Sequence, residues 1–273
     1  MTRSTEIPEH SGTAMSFWDH LKEMRDRIIY SLIAVAVGFG AAFGYSEEIL
    51  GLLMWPLNTT VTLSSAFPYV AAQPNEVKQT LHFTTLTEPF WSHLKIGLIA
   101  GLFLAVPVIM HQLWKFLAPG LLPGERKYAR YFVFFSTLFF GAGVVFSFFV
   151  LLPFAVPFLL GYKTEHLTAI LRIGEYVDFT LKLLLITGLV FELPLVIVLL
   201  TRMGVLTPQW LAQNRKYAFL FSFVLGAIVT PTQDVFNMTL LSVPIYLLYE
   251  FGLIAARIFG RKKRPDTTDL TAL

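Results

Sequence analysis

Uncharged residues in this chain fall into blocks of membrane-crossing length, separated by short charged segments. Nineteen uncharged residues lie between Arg27 and Glu47, nineteen between Lys95 and Lys115, and 32 between Arg130 and Lys163, the last block holding Pro153 and Pro157. Leu183 to Thr201 is a further block of 19, interrupted only by Glu192 at its centre. Seventeen uncharged residues separate Lys216 from Asp234, and 15 separate Asp234 from Glu250. At 1.5 Å rise per residue, a 19-residue helix spans roughly 28 Å, close to the hydrocarbon thickness of a bilayer. The pattern predicts an all-α integral membrane protein with six transmembrane helices and both termini on one side.

The last two blocks are short. Helix six should continue past Glu250 to Phe259; allowing for a stop near Pro231, helix five reaches about 20–25 Å, less than a ~30 Å core, and a pair of short spans predicts local thinning of the bilayer on that flank. Residues 1–273 read as a single membrane domain, with polar tails at 1–18 and 261–273 and a long outer loop at 47–90. That loop contains ILGLLMWPL and SSAFPYVAA, too apolar for a solvated linker, so it should cap one face of the bundle. Pro89 suits the first turn of helix two, with Thr87 or Glu88 as its N-cap. Helices one to three do not echo four to six, which argues against an inverted-repeat transporter.

Composition agrees. The chain is 55% hydrophobic and 14% charged, where soluble domains carry about 25% charged residues. There is no cysteine, which removes disulfides, thiolate metal sites and thiol nucleophiles. His82, His93, His111 and His166 lack metal-ligand spacing, and no nucleophile–base set or phosphate-binding loop is present; no metal, cofactor or enzymatic activity is expected. A net charge of +3 gives no case for nucleic acid. The N-terminal stretch is polar and lacks the apolar run of a cleaved signal peptide. Sixteen of the 21 Lys and Arg residues fall on the termini and on the loops after helices two and four, which orients both termini to the cytoplasm.

Ionisable groups inside the spans are the candidate chemistry. Glu192 has nine uncharged residues on each side, which puts it near the bilayer centre. A charge there costs at least ~2.5 kcal/mol, so the side chain should face protein or water. Thr187 and Ser242 read as helix-packing residues, as do Gly141 and Gly143. Lys95, Asp178 and Lys182 should snorkel to the outer interface. Glu250 should pair with Arg257 or a neighbouring base.

The cytoplasmic segments read HLKEMRDR (His20–Arg27) and QLWKFLAPGLLPGERKYAR (Gln112–Arg130). Trp114 and Phe116 have the character of an interfacial aromatic belt, and Glu125 that of a carboxylate at a helix N-terminus. Glu23 offers a second carboxylate at the same depth.

These motifs, with TEPF at Thr87–Phe90, FELP at Phe191–Pro194 and TPTQDVFNMTLLSVPIYLLYE at Thr230–Glu250, occur in an order that closely resembles the TatC family, the Sec-independent (twin-arginine) protein translocase subunit. The resemblance covers most of the chain from Asp19 to Arg257. It implies a concave, glove-like bundle and a core receptor role: binding paired-arginine signal peptides of folded precursors at the cytoplasmic face. It also implies assembly, as a homo-oligomer, with single-span subunits of the TatA/TatB type, driven by the proton-motive force. Carried over by position, Glu23, Glu125, Phe116 and Arg25 belong to the signal-peptide site. Glu192, Thr187 and Asp234 belong to an intramembrane cavity or partner contact, and Pro56 and Glu88 to the outer cap. Asp234 lies one residue further from Pro231 than in the family's usual turn. The alternative is a proton-coupled small-solute transporter using Glu192, which would want a second mid-membrane ionisable partner and an internal repeat.

Overall fold

The computed structural model describes residues 17–63, 70–74, 79–117, 129–161, 169–230 and 235–259. It is helical apart from one two-stranded hairpin. The elements are α1 (Phe17–Phe43), α2 (Ser46–Leu53), β1 (Thr59–Leu63), β2 (Val70–Pro74), α3 (Glu88–Leu117), α4 (Ala129–Phe146), α5 (Leu152–Gly161), α6 (Ile173–Phe191), α7 (Leu193–Arg202), α8 (Pro208–Gln213), α9 (Arg215–Val229) and α10 (Val235–Phe259). Among the described residues, five stretches are long and apolar enough to cross a membrane: 21–43, 88–117, 130–161, 173–202 and 235–259. Helix α9, at 15 residues, is as short as its Pro231-bounded block implied.

Charge-free blocks underestimate several helices. α10 runs for 25 residues and ends at Phe259, the end expected of helix six; the shortness expected of that helix does not hold. Its chain stays helical through Glu250 because that carboxylate is neutralised in place: Arg215 Nε lies 2.8 Å from Glu250 Oε1, and Tyr246 donates to the same oxygen at 3.0 Å. The fourth span begins at Ile173, well before Leu183, since Glu175, Asp178 and Lys182 all sit on helical turns. It is broken in two at Glu192, because Pro194 has no N–H to give Val190. Glu192 keeps right-handed geometry (φ −71°, ψ −16°) and its carbonyl accepts from Val196 N at 3.0 Å, so helical sense continues through the joint. In the third span, a π-helical turn at Ser147–Leu151 joins α4 to α5.

The helices meet through glycines. A Cβ added at Gly38 of α1 would come within 2.5 Å of Gly101 O on α3, so those two backbones touch. Gly143 of α4 lies against the Thr187 carbonyl and Gly188 of α6, where an added Cβ would sit 2.7 and 2.9 Å away. Gly252 of α10 receives Pro194 and Ile197 of α7. Gly141, by contrast, faces open space and is not a packing glycine. The main core gathers Leu50, Leu53 and Leu57 with Ile96, Leu151, Leu152, Val177, Leu184, Leu241 and Ile245, which fastens the 46–58 segment onto α3, α5, α6 and α10.

The described part of the apolar 47–90 segment folds into α2, a 3₁₀ turn at Pro56–Asn58 and the antiparallel strand pair, in register from Thr59 opposite Pro74 to Leu63 opposite Val70. Pro56 is fully buried. Periodicity alone did not reveal the strands, which are five residues each and flanked by apolar segments.

Candidate functional site

Two ends of the bundle carry polar clusters, and one polar contact lies between them. At the first end, α1 presents Glu23 and Arg27 one turn apart, where i,i+4 side chains meet. Arg27 Nη2 donates to Glu23 Oε1 at 2.9 Å, and Arg27 Nη1 reaches Gln112 Oε1 on α3 at 3.3 Å. Both side chains are largely shielded, with about a quarter or less of their area exposed, at 27% and 19%. Among the described residues Glu23 makes no other hydrogen bond, so its carboxylate retains accepting capacity. Phe116, partly buried, lies one turn beyond Gln112 on α3. Arg25 is on the opposite side of α1 from Glu23, exposed, with its guanidinium 2.9 Å from Asp26 Oδ1. Trp114 is no interfacial belt residue: it is buried and stacks on Phe132 at a 4.2 Å centroid separation, with the Arg202 guanidinium carbon 5.7 Å from the Phe132 ring. Glu125 lies outside the described residues, as does Asp234.

At the other end, Glu88 is buried and saturated. Its carboxylate accepts from Thr84 N at 3.1 Å, Thr84 Oγ1 at 3.4 Å, Gly174 N at 3.1 Å and Arg172 Nη2 at 3.3 Å. It therefore reaches back to the loop and across to α6 instead of serving its own helix's first-turn N–H groups. His82 and Arg172 pair beside it: His82 N donates to Leu171 O and Ile173 N to His82 O, both at 2.8 Å. Tyr176 Oη donates to Leu53 O at 2.6 Å, and Gln79 N to Asn58 Oδ1 at 2.8 Å. These bonds tie the described part of the 46–88 segment to α3 and α6. Lys95 and Asp178 do not snorkel separately; Lys95 Nζ holds both Asp178 oxygens, at 2.7 and 2.9 Å.

Between the ends, Ser136 of α4 donates to Glu192 Oε2 at 2.7 Å. Glu192 Oε1 is buried without a hydrogen-bond partner, as is Thr187 Oγ1. Counted from the midpoint of Ile173–Arg202, Glu192 is offset by roughly 7 Å, so it is less central than its charge-free block implied. The helix–joint–helix construction turns it toward α4. Arg27, Gln112 and Ser136 were not anticipated. The Glu23–Arg27 spacing carried the signal for the first; nothing local to Gln112 or Ser136 marks a contact 85 or 56 residues away. No group of three or more His, Asp or Glu arranged for a metal occurs among the described residues.

Long apolar helices, glycine-mediated contacts and charge concentrated at the bundle ends define a multi-spanning helical membrane protein whose polar chemistry is confined to a few sites. Residues 19–244 match the family model described as Sec-independent protein translocase protein (TatC). The chain is 38% identical over 250 residues to the Sec-independent protein translocase protein TatC of Desulforapulum autotrophicum, covering 92% of this chain and 87% of that one. To the protein of the same name from Koribacter versatilis it is 37% identical, over 94% and 91% of the two chains. Its fold is similar to a crystal structure of the twin-arginine translocase receptor TatC, with a TM-score of 0.72, 35% identity, and 89% and 100% of the two chains covered. The chain belongs to the TatC family and is a membrane component of the twin-arginine protein translocase; it is not an enzyme.

Proposed function

We propose that this chain is the core receptor subunit of its translocase, binding the paired arginines of signal peptides on folded precursors with Glu23 and Glu125. One observation carries this reading: Glu23 is already configured as a guanidinium acceptor, holding Arg27 at 2.9 Å with most of its surface shielded from water. Partial burial strengthens a charge-assisted bond, and a carboxylate matches the guanidinium fork in a way an ammonium cannot reproduce. Arg27 holds the carboxylate in place and, with the basic residues around it, repels segments that bring positive charge without the right geometry. Phe116 supplies an apolar wall one turn from Gln112. Arg25, facing away beside Asp26, contributes to the basic rim.

Both termini lie in the cytoplasm, on the side where Lys and Arg concentrate, and the membrane is the bacterial inner membrane. Glu192, Thr187 and Asp234 receive polar groups of the incoming peptide or of single-span TatA/TatB-type subunits in a concave hollow. Pro56 and Glu88 hold the outer cap. The chain works as one membrane domain, in several copies, and the proton-motive force drives transport.

The test is photocrosslinking of a twin-arginine signal peptide to the membrane-embedded protein. The Glu23→Gln, Glu125→Gln double variant should lose most of the crosslink while remaining folded. An unchanged crosslink in that variant would sink the assignment.

A further inference from the structure

Lys182 is a cation within a membrane-spanning segment that no described group neutralises. It follows Asp178 by four residues on α6, the spacing at which the two would normally pair. Asp178 is taken: Lys95 of α3 holds both its oxygens. Lys182 is exposed, and among the described residues it has neither an ion pair nor a hydrogen bond. The set Lys95, Asp178 and Lys182 thus leaves one uncompensated positive charge on an outward-facing stripe of α6. Leu189, seven residues on and 53% exposed, shares that side of α6, and on α3 Leu98, 45% exposed, follows by three residues the Lys95 that holds Asp178. Below the lysine the surface is therefore apolar.

Depth decides which anion reaches it. With Ile173–Arg202 centred in a ~30 Å hydrocarbon core, the Lys182 Cα sits roughly 8 Å from the midplane. Lipid phosphates lie on the order of 20 Å from the midplane, since headgroups bring the total thickness to ~40–45 Å. The shortfall of about 12 Å is twice the reach of a lysine side chain, about 6 Å. A carboxylate carried on another transmembrane helix can sit at the right depth, and an apolar surface beneath it can pack that helix.

We propose that the α3–α6 face around Lys182 is a docking surface for a partner's transmembrane helix bearing one acidic residue in the membrane half nearer Glu88. Pairing there removes the cost of an isolated intramembrane charge and fixes the partner's depth and rotation together. The surface lies at the opposite end of the bundle from Glu23 and is independent of the signal-peptide reading.

The experiment uses the full-length protein in phosphatidylcholine vesicles with a fluorescent leucine-rich spanning peptide of about 20 residues. One glutamate is placed about 8 Å from its centre, at the depth given to Lys182 by its position on the helix. Energy transfer should report at least tenfold tighter association for this peptide than for its glutamine analogue. The preference should vanish in Lys182→Met, persist in Lys182→Arg, and reverse toward a lysine-bearing peptide in Lys182→Glu. All three variants are to be matched to the parent in thermal unfolding, and signal-peptide crosslinking at Glu23 should be unchanged in each. Equal association of the glutamate and glutamine peptides overturns the proposal. So does loss of the preference when phosphatidylglycerol replaces part of the phosphatidylcholine, which would assign the lysine to lipid headgroups.

Discussion

Glu88 and Glu23 sit at opposite ends of the same bundle, and the difference between them separates structure from recognition. Glu88 spends its accepting capacity on four internal donors drawn from a loop, a neighbouring helix start and an arginine. Glu23 has one described partner, an arginine on its own helix, which itself leans on α3. A carboxylate surrounded by backbone N–H groups is a fastening that no ligand can use without unfastening the chain. One held by a single guanidinium is preorganised for another of the same kind. The end of the molecule that holds together is thus distinct from the end that is available.

The comparison breaks most visibly at Glu88. Glu88→Ala leaves Arg172 with Glu175 as its carboxylate partner, at 3.0 Å, and leaves the N–H groups of Thr84 and Gly174 without their acceptor. We expect a loss of about 3 kcal/mol, read as reduced thermal stability in detergent, because unsatisfied buried donors cost ~1–3 kcal/mol each and relaxation recovers part of it. If Glu88→Ala unfolds at the parent temperature, this end is not the fastening described. Gly143→Ala should cost about 2 kcal/mol, since the added methyl meets backbone on α6 and a packed interface resists overfilling.

At the other end the signs exchange. Glu23→Gln should weaken twin-arginine peptide binding about tenfold, equivalent to ~1.4 kcal/mol, with unfolding shifted by no more than about 0.5 kcal/mol. Binding and stability falling together would make Glu23 another Glu88. Between the ends, Ser136→Ala removes the hydroxyl that donates to Glu192 Oε2 and should cost about 1 kcal/mol. The smallest effect is expected at Arg25: its exposed pair with Asp26 places Arg25→Ala within about 0.5 kcal/mol of the parent in stability.

Much of this was legible in advance, and the failures have a common cause. Uncharged block length located the spanning helices and foretold the short α9, because Pro231 and the flanking charges bound it. The same criterion misjudged α10 and the fourth span. A helix tolerates charges when they are paired, as Glu250 is by Arg215 and Asp178 by Lys95, and pairing is a tertiary fact. It also placed Glu192 nearer the centre than it lies. Gly143 was recognised as a packing residue but Gly141 wrongly beside it, since the two point to different sides of α4 and only the neighbouring helix decides which matters. The closed end was visible only as TEPF and a proline-rich loop. Its fastening joins residues 84, 88, 172 and 174, a separation that no local pattern encodes. The recognition end was the more readable because its chemistry resides in one helical turn, Glu23 to Arg27.

The most direct test of the account is equilibrium binding of a fluorescent signal peptide to the protein in membranes, comparing Arg-Arg with Lys-Lys at the paired position, in the parent and in Glu23→Gln. The parent should prefer Arg-Arg by about tenfold or more, and Glu23→Gln should abolish most of that preference while binding Lys-Lys as the parent does. An undiminished Arg-Arg preference in Glu23→Gln would contradict the claim that this carboxylate reads the guanidinium.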